Sequence, residues 1–422
     1  MKVLWITNNI MPYVAEEKKL ESSNFGGWIL AMIDEISKNK NIELAIATVY
    51  NCKKIEEYEN DGIKYYLIPG KLNYKYYKET EEYWKQLDKI FNADIVHLFG
   101  SEFYHGLAYI NALPNKKSVL NIQGLVSKCG SEYTAGITSK EIIKNITIRD
   151  ILKRDNIFQQ QKKFIKRGIN ENKIINQIDY VIGRTFWDYS NVKSINSNVK
   201  YFKNNESLRS SFYQNEWDIN KINRHSIFVS QGSYPIKGLH ILLKALRIVV
   251  KSFPETRLYI GGPNITDTVG LKNKLKLSGY GKYLKKIIKN NNIEKNVCFL
   301  GNLKEEQMLN QYLKSNLFVL PSVIENSSNS LAEAMILGLP CIASYTGGTP
   351  SMLENNVEGI LYSYSDYEVL AQHIIELFEN DKLCNEYSKN ARKRALARHS
   401  LKRNMEELYN IYNIIENGGR DE

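Results

Sequence analysis

The strongest constraint in this sequence is an alternation that runs, stops and starts again. Short apolar segments of strand length lie at 3–7, 43–49, 64–68, 94–98, 118–123 and 180–183, with longer amphipathic stretches between them, as at 29–37. Strands that alternate with helices in this way predict a parallel sheet covered on both faces. The pattern lapses in a polar, Asn-rich stretch at 203–224 and then resumes. Strands are predicted at 226–230, 257–260, 297–300, 317–320 and 341–343, and helices at 239–251, 283–290, 305–313 and 331–337. Residues 366–415 read as consecutive helices. The expectation is an α/β chain of two doubly wound domains, 1–205 and 220–395, with a helix at about 401–418 packing back on the first. A length of 422 residues, more than one ordinary core accommodates, fits two domains. Ligands of such sheets bind beyond the carboxyl ends of the strands, so the loops that follow strands carry the functional reading.

Composition narrows the classes. No apolar run reaches the ~18 residues a membrane-spanning helix needs. Val3-Leu4-Trp5-Ile6 reads as a buried strand, not as the core of a secretory leader, so a cytoplasmic location is expected. The five cysteines are scattered without a C-x-x-C pair, which suits free buried thiols in a reducing compartment. The net charge of +11 is diffuse, and no nucleic-acid recognition motif accompanies it, so no nucleic-acid partner is expected. The segment 140–173 concentrates ten Lys/Arg against four Asp/Glu, interleaved with Ile and Phe. Such a basic amphipathic segment can lie on an anionic membrane or pack as a solvated helix on its own domain.

Three loops carry the chemistry. Asn24-Phe25-Gly26-Gly27-Trp28 precedes a helix, where two glycines let the backbone approach a ligand and the helix start favours phosphate. In Ser230-Gln231-Gly232-Ser233-Tyr234-Pro235-Ile236-Lys237-Gly238, a strand leads to a lysine that can neutralise charge growing on a leaving group. After the strand at 317–320, Pro321-Ser322-Val323-Ile324-Glu325 leads through Asn326-Ser327-Ser328 into a helix start. The N–H groups of Asn329, Ser330 and Leu331 can meet phosphate oxygens there. Glu333 can accept two hydrogen bonds from a ribose, and Glu325 can meet sugar hydroxyls. Gly347-Gly348 follows the next strand as a second close-approach turn. A capped helix with two solvated glutamates is the structural alternative. In the first domain, Glu102 and His105 follow one strand, Gln123 another and Arg184 a third, each either a contact to the acceptor or a structural group. Asn205-Glu206 borders the linker.

These residues resemble the retaining GT-B glycosyltransferases, specifically glycosyltransferase family 4. Pro321-Ser322, Glu325 and Glu333-Ala334-Met335 match that family's paired glutamates in spacing, and Gly338-x-Pro340 and Gly347-Gly348 match in order. Gly26-Gly27 and Lys237-Gly238 fall where the family contacts phosphate. The resemblance covers nearly the whole chain. It implies two Rossmann-like domains facing across a cleft, a nucleotide diphosphate sugar as donor, and retention of anomeric configuration. It assigns Glu333 to the donor ribose, Glu325 to the donor sugar, and Lys237 with the Gly27 backbone to the diphosphate. The sequence departs from the family at Gly232, where an Arg is usual, at Asn326-Ser327-Ser328, where Gly-Phe-Gly is usual, and at Gln123, where a His is common. Arg184 is the candidate replacement for the missing cation.

The sequence contains no D-x-D pair, so no metal or other cofactor is expected, with Lys237 and helix N-termini meeting the diphosphate instead. The implied activity is hexosyl transfer to a glycan or lipid-linked acceptor in surface polysaccharide assembly, with contact to the inner membrane face. Two alternatives remain: a nucleotide-sugar epimerase of the same fold, and a non-catalytic nucleotide-sugar-binding protein.

Overall fold

The computed structural model describes residues 1–20, 27–73 and 75–418. It divides into two compact units. One comprises Met1–Ser127, Phe164–Arg209 and His399–Glu422; the other comprises Lys128–Lys163 and Ser210–Arg398.

The first unit is built on eight strands: β1 (Lys2–Ile6), β2 (Glu43–Tyr50), β3 (Glu56–Asn60), β4 (Ile63–Pro69), β5 (Ile95–Phe99), β6 (Ser118–Asn121), β7 (Tyr180–Gly183) and β8 (Lys200–Lys203). Their order is β3-β4-β2-β1-β5-β6-β7-β8, and β3 alone runs antiparallel to its neighbour. Val3, Trp5, Leu44 and Ile46 face one core, and Leu4, Ile6, Ala45 and Ala47 the other, as the two-residue period of a strand requires. Helix Leu401–Glu416 joins the first of these cores through Met405, Leu408, Ile411, Tyr412 and Ile415. Tyr412 fastens it: its hydroxyl accepts from Trp5 Nε1 at 2.9 Å and lies 2.7 Å from His97 Nδ1.

The second unit holds a fully parallel sheet of β9 (Ser226–Val229), β10 (Arg257–Gly261), β11 (Val297–Gly301), β12 (Leu317–Leu320), β13 (Cys341–Ser344) and β14 (Ile360–Tyr362), in the order β11-β10-β9-β12-β13-β14. The direction of winding reverses between β9 and β12, the topological switch point.

Chain order alone assigned 128–163 to the first domain. These residues instead pack with the second unit. Asp150, fully buried, accepts from Gly279 N at 2.8 Å and so caps the start of helix Gly279–Asn290 from another part of the chain. Thr147 Oγ1 donates to Leu277 O at 2.9 Å, Lys286 pairs with Glu141 at 3.0 Å, and His240 Nε2 lies 3.0 Å from Ala135 O. The expected buried thiols divide: Cys341 and Cys384 are buried, while Cys52, Cys129 and Cys298 are half-buried.

Candidate functional site

In the second unit, the loops after β9 and β12 leave the sheet on either side of the switch point, and they bring Lys237 to Glu325. Lys237 Nζ stands 2.7 Å from Glu325 Oε2, and Ser322 Oγ donates to the same oxygen at 3.1 Å. Both charged side chains retain some solvent access. Burial works against the lysine's charge, but the Glu325 carboxylate outweighs it and holds the ammonium above the usual lysine range. Tyr234 lies under the ammonium, its ring centre 5.9 Å from Nζ.

The Glu325 loop is fixed at every turn. Val323 N donates to Ile236 O at 2.8 Å, Thr346 Oγ1 to Val323 O at 2.6 Å, and Ser344 Oγ to Ser322 O. Gly348 N donates to Glu325 O at 2.9 Å, so the Gly347-Gly348 turn holds the backbone of Glu325 itself. Glycine is required in two places. At Gly347 (φ +51) a Cβ would sit 1.9 Å from Glu325 O, and at Gly238 (φ +69) it would sit 1.8 Å from Pro321 O. The two loops therefore touch through backbone, which sets the Lys237–Glu325 distance.

Helix Asn329–Leu337 follows, with Ser328 as its N-cap and Gly338 (φ +80) as its left-handed stop. Ser328 Oγ accepts from Leu331 N at 3.4 Å, so that donor is already engaged, whereas Asn329 and Ser330 open the helix, where first-turn N–H groups have no intrahelical acceptor. Glu333, on this helix, is buried, and Tyr312 Oη lies 3.4 Å from its Oε2 and donates to Ser330 O at 3.0 Å. The Asn326-Ser327-Ser328 stretch is also buried. Gly26 lies outside the described residues, and Gly27 is the first residue of helix Gly27–Ile36 in the first unit. A side chain at Gly232 would meet Leu239 Cδ2 at 2.5 Å, so the arginine of the resembled family does not fit here without moving Leu239.

Beside the Lys237–Glu325 pair, and not on it, the second unit has a cavity of about 390 Å³. Tyr234 and Pro235 line it together with Asn264, Tyr280, Arg149 and Gln160. The last two belong to the 128–163 segment, which thus forms one wall.

In the first unit, Glu102 and His105 follow β5, next to the switch between β1 and β5. Glu102 Oε2 accepts from Asn8 Nδ2 at 2.6 Å, across that switch, and Arg167 Nε donates to Glu102 O at 2.6 Å. Burial raises the Glu102 carboxyl, opposed by its own backbone N–H, by Arg167 and by Asn8. His105 is buried, which pushes it down to about 4 against a hydrogen bond that it donates to the Thr7 backbone. It is neutral near pH 7. Arg184 and Gln123 come together on Glu206. Arg184 Nη1 pairs with Glu206 Oε2 at 2.6 Å with both side chains buried, Gln123 Nε2 donates to Oε1 at 2.6 Å, and Arg184 Nη2 donates to Ile122 O and Gln123 O. Arg184 is therefore the member of a buried ion pair, the structural alternative of the sequence reading. Arg167, in the basic run of helix Ile157–Gln177, is also structural, stacked on Phe103 and Phe164 at 4.7 and 4.8 Å.

Comparison with known proteins bears on this geometry. Residues 209–394 match the family model of the glycosyl transferases group 1. The putative glycosyltransferase YtcC of Bacillus subtilis (strain 168) is 23% identical over 412 residues, 96% of this chain and 92% of that protein. The crystal structure of Anabaena Alr3699/HepE in complex with UDP and glucose superposes with a TM-score of 0.65 at 15% identity, covering 98% of this chain and 99% of that one. The chain is a glycosyltransferase of the GT-B fold. The poly(ribitol-phosphate) alpha-N-acetylglucosaminyltransferase of Staphylococcus aureus (strain COL) is 27% identical to the transferase over 180 residues, 42% of this chain and 33% of that protein. The matched family segment contains Lys237, Ser322, Glu325 and Glu333 together with Tyr312, which sequence reasoning did not single out. Tyr312 steadies Glu333, and Ser322 shares Glu325 with the lysine. Asn8, in the first unit, was also missed. Tyr312 and Asn8 act through side-chain contacts with residues 21 and 94 positions away, which no local spacing displays.

Proposed function

We propose that this transferase moves a hexosyl unit from a nucleotide diphosphate sugar to a glycan or lipid-linked acceptor, with retention of anomeric configuration, in surface polysaccharide assembly. The observation that carries the reading is the Lys237–Glu325 pair, set by two loops at a switch point and followed directly by the helix bearing Glu333. A cation at hydrogen-bond distance from a carboxylate is positioned to pass to a diphosphate while the carboxylate meets the sugar. Glu333, buried and acceptor-only when ionised, suits the two hydroxyls of a ribose. The names of the relatives support the substrate classes: one acts on a poly(ribitol phosphate), and one solved neighbour holds UDP and glucose.

In this reading the acceptor oxygen attacks the anomeric carbon on the face the leaving diphosphate vacates. The diphosphate oxygen takes the acceptor proton, and Lys237 and the first N–H groups of helix Asn329–Leu337 stabilise the charge left behind. No protein base is needed, in keeping with Gln123 standing where a titrating group is common. The diphosphate charge is met without a metal ion or other cofactor. The acceptor is reached at the inner membrane face, although no described helix is long and apolar enough to cross a membrane. Proton NMR of the first product formed tests the proposal. An anomeric configuration equal to the donor's, at a rate unchanged by a chelator, is expected; an inverted product, or an epimerised donor formed without acceptor, contradicts it.

A further inference from the structure

Two short helices of the second unit leave their apolar sides in solvent. In Ile148–Lys153, Ile148, Ile151 and Leu152 recur at the spacing of one helix face, and in Gly270–Lys276, Leu271 and Leu275 do the same, preceded by Val269. These six side chains are 63% to 82% exposed. The helices pack side by side and are tied by Thr147 to Leu277 and by Asp150 to Gly279. The apolar faces therefore belong to one rigid, pre-formed surface.

The charge around this surface has one sign. Lys144, Lys153, Arg154, Lys272, Lys274 and Lys276 are exposed at its rim. The carboxylates of the two segments are all engaged by the protein itself. Glu141 pairs with Lys286, Asp150 caps two helix starts, Asp155 pairs with Arg149 and Lys163, and Asp267 accepts from Val269 N and Asn273 Nδ2. A second copy of the chain would bring like charges together across the same patch. A nucleic acid would leave the leucines and isoleucines without a partner. An anionic bilayer satisfies both features, since apolar side chains enter the acyl boundary while the lysines remain among the head groups.

We infer that the paired helices at 148–153 and 270–276 are the surface by which this transferase docks on an anionic membrane. The inference rests on the proposal of a lipid-linked acceptor and names the part of the protein that meets the lipid. It also relocates the basic segment of the sequence reading: Arg167 is occupied within the first unit, whereas Lys144, Lys153 and Arg154 lie exposed on the second.

Flotation with vesicles of phosphatidylcholine and phosphatidylglycerol in equal amounts, against pure phosphatidylcholine, reads the binding. Wild-type protein is expected on the anionic vesicles alone. The variant Lys153→Gln/Lys272→Gln/Lys274→Gln is expected to bind about a hundred-fold more weakly, at about five-fold per cation. The variant Leu152→Ser/Leu271→Ser/Leu275→Ser is expected to lose binding by about ten-fold or more at unchanged charge. Equal binding by either variant overturns the inference, as does a solution dimer that the leucine variant abolishes, which would make a second copy the occupant. Neither variant touches the Lys237–Glu325 site, and all six positions are exposed, so circular dichroism and nucleotide-sugar binding of both variants should match wild type. Lost vesicle binding with intact donor binding supports the docking surface. Intact vesicle dependence without any donor binding would overturn the transferase site and leave this surface standing.

Discussion

Gly347→Ala isolates what the backbone contact with Glu325 does. The added Cβ would lie 1.9 Å from Glu325 O, where real contacts stay beyond 3.0 Å, so the loop must yield by about 1 Å. The residue also sits at φ +51, where a side chain adds about 1–2 kcal/mol of strain. Opening the contact weakens the 2.9 Å bond from Gly348 N to Glu325 O and draws the carboxylate away from Lys237. A misplacement of this size in a catalytic constellation is worth about 10²-fold in rate. The strain should lower the melting temperature by a few degrees, at roughly 2–4 °C per kcal/mol for a unit of this size. Glu333 and its helix are not touched, so affinity for the free nucleoside diphosphate should be unchanged. The assay is initial-rate transfer at saturating donor, beside nucleotide titration and thermal melting. A variant with lowered melting temperature and wild-type kcat would refute the claim that this turn positions Glu325 for chemistry.

Other perturbations separate the roles further. Lys237→Ala should lower kcat by about 10²–10³-fold with little change in donor affinity, read by steady-state kinetics, because it removes a charge used as the leaving group departs. Glu333→Ala should raise the donor Kd by about ten- to a hundred-fold in calorimetry, the loss of hydrogen bonds to a charged acceptor. Glu206→Ala leaves the buried Arg184 guanidinium without its counter-charge and should destabilise the first unit by about 3–5 kcal/mol in denaturant unfolding, where a merely exposed pair would change little. His105 and His240 are each pushed down to about 4 by burial, so the unfolded chain binds more protons than the folded one between pH 6.5 and 4. Stability is thus fully present above pH 6.5 and falls by about 1.4 kcal/mol per pH unit per histidine below it. His105→Gln should flatten part of that slope in pH-dependent melting; an unchanged slope would count against the burial argument.

Much of this architecture is legible in the sequence because the sheets are parallel and buried on both faces. Tyr180–Gly183 and Leu317–Leu320 are apolar runs whose ends are visible in the sequence, and both strands end where the pattern does. β3 was not legible: Glu56-Glu57-Tyr58-Glu59-Asn60 has no apolar run, and it is a strand because β4 offers it an antiparallel edge. The three-residue β14 is likewise held by its neighbour β13. The 128–163 segment misled for a different reason. Its attachment to the second unit runs through Asp150 to Gly279 and His240 to Ala135, contacts over a hundred residues apart in the chain. At the site, residue types and spacing gave Lys237, Glu325 and Glu333, but they did not give the ion pair between the first two. They also left Arg184 open between an anion contact and an ion pair, a choice that Glu206 decides only in three dimensions.

The central claim is that the second unit holds a nucleotide diphosphate sugar for transfer, with Glu333 binding its ribose and Lys237 and Glu325 acting at the reacting centre. A thermal-shift screen of nucleotide diphosphate sugars, run on wild type and Glu333→Ala together, tests it most directly. One donor should stabilise the wild type, by about 2.7 kcal/mol at a hundred times its Kd, and should stabilise the variant less at the same concentration. No stabilisation by any nucleotide sugar, or equal stabilisation of the two proteins, would contradict the account.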